Sequence, residues 1–217
     1  MKIFRNFITA VVLLTSTAIF AQTEDKATPL LDDVAAKLES CNSLKIDFSL
    51  NIENNQTNKK ESHKGSAVYK AGNYKMDLMG QIVFSDGKTV WTYLKDAEEV
   101  NITKNTDNES AMINPKTILK NYKQNFKTKY ISEKFENNKA LVEIDLYPKE
   151  IKDKKYSRIT LKIEKTKKQI YSVKYIGKDG VDFFITLNTL LENPVLQDSE
   201  VKYSDKLFPN AEVIDMR

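Results

Sequence analysis

One cysteine and one histidine are all that this 217-residue chain contains of the two side chains most used for disulfides, thiol chemistry and zinc. With Cys41 alone, no internal disulfide can form, so stability in an oxidising compartment must come from apolar burial. Cys41 sits on the apolar side of an expected helix and reads as a packed, inert thiol. His63 lies in the polar run from Lys59 to Lys64, where a solvated loop or strand-end position is expected, so neither a multi-histidine metal site nor a Ser-His-Asp triad is expected. Excess charge is lacking too. The formal net charge is +4, and Lys2 and Arg5 belong to a leader, which leaves too little basicity for a nucleic-acid partner.

Long hydrophobic runs are absent apart from one, Phe7 to Phe20, broken by Thr9, Thr15, Ser16 and Thr17. It is too short for a membrane span, which needs about 20 apolar residues. With Lys2 and Arg5 ahead of it and Ala21 before Gln22, it reads as a signal peptide over residues 1–21, removed to leave one domain over 22–217. No cysteine directly follows the apolar core to receive a lipid, so a soluble exported monomer is expected.

What the chain does have is alternation. Thr28-Pro29 opens a helix, with an N-cap hydroxyl and proline at the first helical position, and Leu30, Leu31, Val34, Leu38 and Cys41 follow at helical spacing. From Leu44 the period becomes two, as Leu44, Ile46, Phe48, Leu50 and Ile52 alternate with polar residues. The same pattern continues over Gly65 to Lys70, Tyr74 to Leu78, Gln81 to Phe84, Thr89 to Leu94 and Val100 to Ile102, separated by short turns such as Ala71-Gly72-Asn73. A second helix is expected with Asn114 as cap, Pro115 in its first turn and Ile113 stapled to Ile118, its stripe running to Tyr122. Further strands follow over Lys129 to Phe135, Leu141 to Leu146, Arg158 to Ile163, Ile170 to Ile176 and Val181 to Leu187. About ten strands joined by tight turns make an antiparallel sheet, mainly β, which curls into an incomplete barrel closed by a short helical lid.

No stretch carries a complete catalytic pattern. Gly87-Lys88-Thr89 imitates the end of a phosphate-binding loop, but Ile82 stands where that pattern needs glycine and no helix follows, so it reads as a turn. Glu98-Glu99, and Asp145 near Glu143, are carboxylate pairs by type, yet each fits the solvated face of a strand or a turn. The lysine-rich stretch from Lys149 to Lys168 reads first as a hydrated hairpin and second as a surface for acidic headgroups. Asn55, Asn101 and Asn108 stand in glycosylation-type triplets, which a chain rich in asparagine produces by chance. No enzyme, metal site or cofactor is expected. The ten phenylalanines, ten tyrosines, five methionines and Trp91 suit an adaptable pocket or a filled core equally well.

The hairpin Phe84-Ser85-Asp86-Gly87-Lys88-Thr89-Val90-Trp91-Thr92-Tyr93, followed by Glu98-Glu99-Val100, resembles the V-S-D-G-K-x-[LV]-W-x-Y hairpin of the periplasmic outer-membrane lipoprotein carrier (LolA) family. The stretch Leu207 to Asp215 resembles that family's closing segment, and the order and length of elements agree over essentially the whole mature chain. The resemblance implies a half-barrel in the periplasm that shields lipoprotein acyl chains between an ATP-driven inner-membrane exporter and an outer-membrane acceptor. Exposed acyl chain costs ~0.8 kcal/mol per CH₂, on the order of 12 kcal/mol for sixteen carbons, so unaided transit is negligible. The acyl chains are expected on an apolar face comprising Phe48, Leu50, Met76, Leu78, Phe84, Trp91, Ile144 and Leu146. A family turn written R-P-x-x-[FW]-x-W holds the lid shut, and here it reads Lys70-Ala71-Gly72-Asn73-Tyr74-Lys75-Met76. Lys70, the implied lid contact, lacks the forked geometry of a guanidinium and makes a weaker latch. The same fold could carry a glycolipid or pigment, or serve as a sensor that binds the periplasmic part of a membrane protein.

Overall fold

The computed structural model describes residues 25–105, 114–152 and 154–217; the leader and Ile113 lie outside them. The first helix, α1 (Ala27–Ser40), starts ahead of the expected cap. Asp25 Oδ1 accepts from the amides of both Ala27 and Thr28 at 3.2 Å. One carboxylate therefore serves two first-turn donors, and Thr28 and Pro29 fall inside that turn, where proline's missing N–H costs nothing. Leu31, Val34 and Leu38 are buried along one side. Cys41 follows at the C-cap, buried, its thiol donating to Lys37 O.

The remaining chain forms one sheet of twelve strands: β1 (Ser43–Asn54), β2 (Lys59–Lys70), β3 (Asn73–Leu78), β4 (Gln81–Ser85), β5 (Thr89–Leu94), β6 (Glu99–Lys104), β7 (Phe126–Glu136), β8 (Lys139–Pro148), β9 (Tyr156–Glu164), β10 (Gln169–Gly177), β11 (Val181–Glu192) and β12 (Glu212–Asp215). Across the sheet their order is β12-β6-β5-β4-β3-β2-β1-β11-β10-β9-β8-β7. Two meanders thus join at β1, which pairs with β11 from Leu44↔Glu192 to Asn54↔Val181. All pairs are antiparallel except β12 on β6. This is the expected open, curved, mainly β architecture, with one strand the alternation does not suggest and one that starts earlier than it suggests. The addition is β12, and β2 begins at Lys59, six residues before its apolar stretch. The segment Lys59 to Lys64 has no apolar residue, but it extends because its backbone ladder continues along β1 as far as Asn54↔Lys59.

Several hairpin turns place both central residues at positive φ, as at Ala71-Gly72, Met79-Gly80 and Asn137-Asn138. That geometry matches the right-handed twist of the flanking strands. Asn114 caps α2 (Pro115–Leu119) as expected, its side chain accepting from Lys116 N. The helix does not run on to Tyr122. Asn121 adopts a left-handed conformation (φ 54°) and restarts the chain as the single turn α3 (Tyr122–Asn125).

The core lies on the inner face of the sheet, beneath α1. Leu31, Val34 and Leu38 join one cluster with Ile46, Phe48, Ile144, Leu146, Ile159 and Leu161, all but Leu38 with no more than 1% exposure. Phe48 lies across Gly65, where a Cβ would stand 2.5 Å from the ring's Cζ and 3.0 Å from the Asp77 carbonyl oxygen. The ring is fully enclosed and cannot step aside. Gly65→Ala is therefore expected to destabilise the fold by about 1–3 kcal/mol. Urea denaturation measures this, and an unchanged midpoint would show that Phe48 is not wedged against Gly65.

Candidate functional site

The register traces one line of side chains across the inner face, Ile46↔Ala67↔Met76↔Val83↔Thr92↔Asn101. It runs from complete burial at Ile46 to half-exposure at Thr92 and Asn101. The flanking lines put Tyr74, Leu78, Val90 and Leu94 on the same face, each half-buried. Across β3 to β5 the inner face is therefore largely apolar, with Gln81, Ser85 and Thr92 set among the apolar side chains, continuous with the core, and less completely covered than the part beneath α1.

Six of the residues expected on one apolar face do share it: Phe48, Leu50, Met76, Leu78, Ile144 and Leu146 belong to or pack against the main cluster. Ile144 and Leu146 are sealed in it without exposure, so they act as packed core beneath α1. Leu50 and Met76 are also buried, and Leu78 is open in part. Phe84 and Trp91 stand on the opposite face. Phe84 packs edge-on against Tyr203 and Phe208, and Trp91 stacks on Tyr203 with ring centroids 5.3 Å apart. Tyr93 stacks on Phe208 at 3.8 Å. These rings hold the C-terminal segment to the outer face of β4 and β5, which is why the two residues are not with the other six. Tyr203 and Phe208 are the packing positions that alternation could not reveal, because the segment carrying them has no period.

Lys70 bonds to the C-terminal segment and not to α1, α2 or α3. Its ammonium group donates to the Leu196 carbonyl at 2.7 Å and to Asp198 Oδ1 at 2.9 Å, so the expected lid contact is a tie to the C-terminal segment instead. Lys70 stands on the outer face because its neighbour Tyr69 points inward with the core, and from there the tail is the nearest acceptor. A cleft of about 100 Å³ lies at this end of the sheet, between the turn after Lys70 and the start of α2.

The remaining candidates fall into place as structure. His63 is half-exposed on β2, 3.4 Å from Glu61. Asp86 closes the Ser85-to-Thr89 turn by accepting from the amides of Lys88 and Thr89, and these backbone bonds lower its pKa. Glu98 occupies a turn at φ 52°. Asp145 corrects the expectation of a solvated carboxylate: it is buried, accepting from Thr160 Oγ1 at 2.6 Å, Tyr147 Oη at 3.0 Å and an Arg158 guanidinium nitrogen at 3.2 Å. A fully bonded carboxylate tolerates that burial. Lys162, Lys165 and Lys168 pair with Glu136, Glu133 and Asp33, as a hydrated hairpin should. Among the described residues no group of acidic, histidine or cysteine side chains could hold a metal ion, and no helix is long and apolar enough to cross a membrane.

Comparison with known proteins agrees with this architecture. The family described as "Outer membrane lipoprotein carrier protein LolA" matches residues 39–204. No curated protein matches the sequence. Among solved structures, an uncharacterised conserved protein from Thermus thermophilus superposes with a TM-score of 0.58 at 11% identity, over 87% of this chain and 98% of that one. A LolA superfamily protein from Nitrosomonas europaea gives 0.43 at 9% identity, over 82% and 97%. The lipoprotein LppX from Mycobacterium tuberculosis gives 0.46 at 10% identity, over 79% and 98%.

The tie from sheet to tail is pH-dependent. The ammonium groups of Lys202 and Lys70 pull the exposed Asp198 carboxyl down to about 2 from its ordinary 3.8. Because the folded value is the lower one, the contribution is complete above the ordinary value and disappears as pH falls through the folded value. The melting-temperature gap between the wild type and Asp198→Asn should therefore narrow from about pH 5 to about pH 2. A gap of constant size across that range would contradict the pairing.

Proposed function

This chain belongs to the LolA family of outer membrane lipoprotein carriers, and on that premise we propose that it is a periplasmic chaperone that shuttles acylated lipoproteins between the two membranes. The observation that carries the reading is the half-buried inner face of β3 to β5, where Tyr74, Leu78, Val90 and Leu94 continue the core surface away from α1. An acyl chain laid along that face exchanges water contact for apolar contact on both partners, at roughly 25 cal/mol per Å². Leu50 and Met76 form the floor nearest the core, and Leu78 stands at the open part. Ile144 and Leu146 support that floor from beneath α1.

An inner-membrane exporter would drive loading, since the sequence has no complete nucleotide-binding pattern, and an outer-membrane acceptor would receive the cargo. Release then requires only that the acceptor bind acyl chains better than this face does. The Lys70 tie lies outside this surface, so it braces the sheet and leaves the entrance to other groups. Signal removal ahead of Gln22 would let the carrier leave the membrane.

Two substitutions separate binding from stability. Leu78→Glu is expected to reduce palmitoyl-chain binding at least tenfold while lowering the melting temperature little, because a half-exposed carboxylate stays hydrated. Phe84→Ala is expected to cost about 3–5 kcal/mol of stability and to leave acyl affinity near the wild-type value, because its ring faces the tail. Displacement of a fluorescent acyl probe, run beside urea denaturation, reads both. If Leu78→Glu lowers stability and binding together, or Phe84→Ala abolishes binding in the folded protein, the inner face is not the acyl site. Depletion of the protein followed by localisation of lipoproteins tests the shuttle itself, with retention at the inner membrane as the expected result.

A further inference from the structure

The inner face changes character between β4 and β6. On β5 and β6 it presents Val90, Thr92, Leu94, Glu99, Asn101 and Thr103, so hydroxyls, an amide and a carboxylate take over where the apolar floor of Met76 and Val83 ends. Glu99 is half-buried and accepts from the Asn101 side-chain amide, which fixes both groups against the sheet. The chain holds 34 lysines and arginines, yet the register puts none of them on the inner face of β3 to β6. Lys70, Lys75 and Lys104 all occupy outward positions on these strands or at their edge. The outer face of β5 and β6 is the apolar one: Trp91 and Tyr93 stack on Tyr203 and Phe208 of the tail, and Val100 and Ile102 are buried on the strand that β12 flanks.

We infer that Glu99, Asn101, Thr92 and Thr103 form the wall that receives the polar part of the bound amphiphile, and that this part is uncharged, of the ester, amide or hydroxyl type. The inference rests on the acyl-carrier reading above and adds its selectivity. An acyl chain lying on Met76 and Leu78 brings its first polar atoms to β5 and β6, because cross-strand neighbours lie ~4.7–4.9 Å apart. Ester and amide groups find donors and acceptors there. A phosphate would meet a fixed carboxylate with no cation on that face, an unfavourable pairing in a partly desolvated site. The wall therefore selects against phospholipids, which outnumber the cargo in any membrane the carrier meets.

The test uses the purified protein and two probes with the same chain and glycerol backbone, monopalmitoylglycerol and palmitoyl lysophosphatidate. Each competes for a bound fluorescent palmitoyl amide below its micelle threshold. The neutral probe should compete at roughly tenfold lower concentration, a difference that weakens with added salt. Glu99→Lys should narrow or reverse the ratio, and Asn101→Leu should weaken the neutral probe without favouring the anionic one. Glu99→Gln preserves the shape of the side chain and should narrow the ratio even if the lysine variant misfolds. Equal or tighter binding of lysophosphatidate, or a ratio unmoved by the Glu99 variants, overturns the selectivity while the acyl site stands. If neither probe displaces the amide and the amide itself does not bind, the carrier reading fails and the selectivity with it.

Discussion

Val83 and Phe84 are adjacent on β4, and both are buried, one against Met76 on the inner face and the other against Tyr203 and Phe208 outside. A strand covered on both sides in a one-layer sheet needs two covers, and the chain supplies them from its ends. α1 covers the inner face from β1 round to β7, and the C-terminal segment covers the outer face of β4 to β6. Between these covers the inner face of β3 to β5 is left half-open. The proposed site thus exists because the two covers lie on opposite sides of the sheet and meet only at β4.

The tail's attachment combines three kinds of contact. Aromatic stacking holds Tyr203 and Phe208, the ammonium of Lys70 holds the Leu196 carbonyl and Asp198, and β12 pairs with β6 from Glu212 to Asp215. Only the second is sensitive to pH and salt; exposed ion pairs contribute little on their own. The stacked rings and the β12 ladder therefore carry most of the attachment. Replacing the family's arginine with Lys70 costs little in this arrangement, because a carbonyl and one carboxylate oxygen suit a point charge as well as a fork.

Much of this was readable from residue order. The alternation of Leu44 to Ile52 set β1, Ala71-Gly72-Asn73 and Gly80 marked hairpins, and Asn114-Pro115 marked the start of α2, since each signal is local and chemically specific. The sidedness of β4 and β5 was not readable. Phe84 and Trp91 alternate as correctly for an outward face as for an inward one, and only the packing of Tyr203 and Phe208, over a hundred residues further on, decides between them. Asp145 misled for a related reason. Its place on an alternating strand suggested solvent, but Arg158 and Thr160 arrive from the next strand to bury it. Lys70 misled because the family turn implies an acceptor on the lid, whereas here Leu196 and Asp198 of the C-terminal segment lie within reach of its outward ammonium.

The pairing of β1 with β11 sets the order in which the chain can assemble. Leu44 meets Glu192 across most of the chain's length, so as the chain emerges the β1–β6 meander keeps its β1 edge open until β11 has been made and its β6 edge open until β12 follows. Contacts so distant in sequence are slow to form, and an alternating strand with a free edge is the kind of surface that aggregates. Until then the nascent β1 must be kept from pairing with another chain. The proposed carrier would itself depend on such shielding during its own maturation.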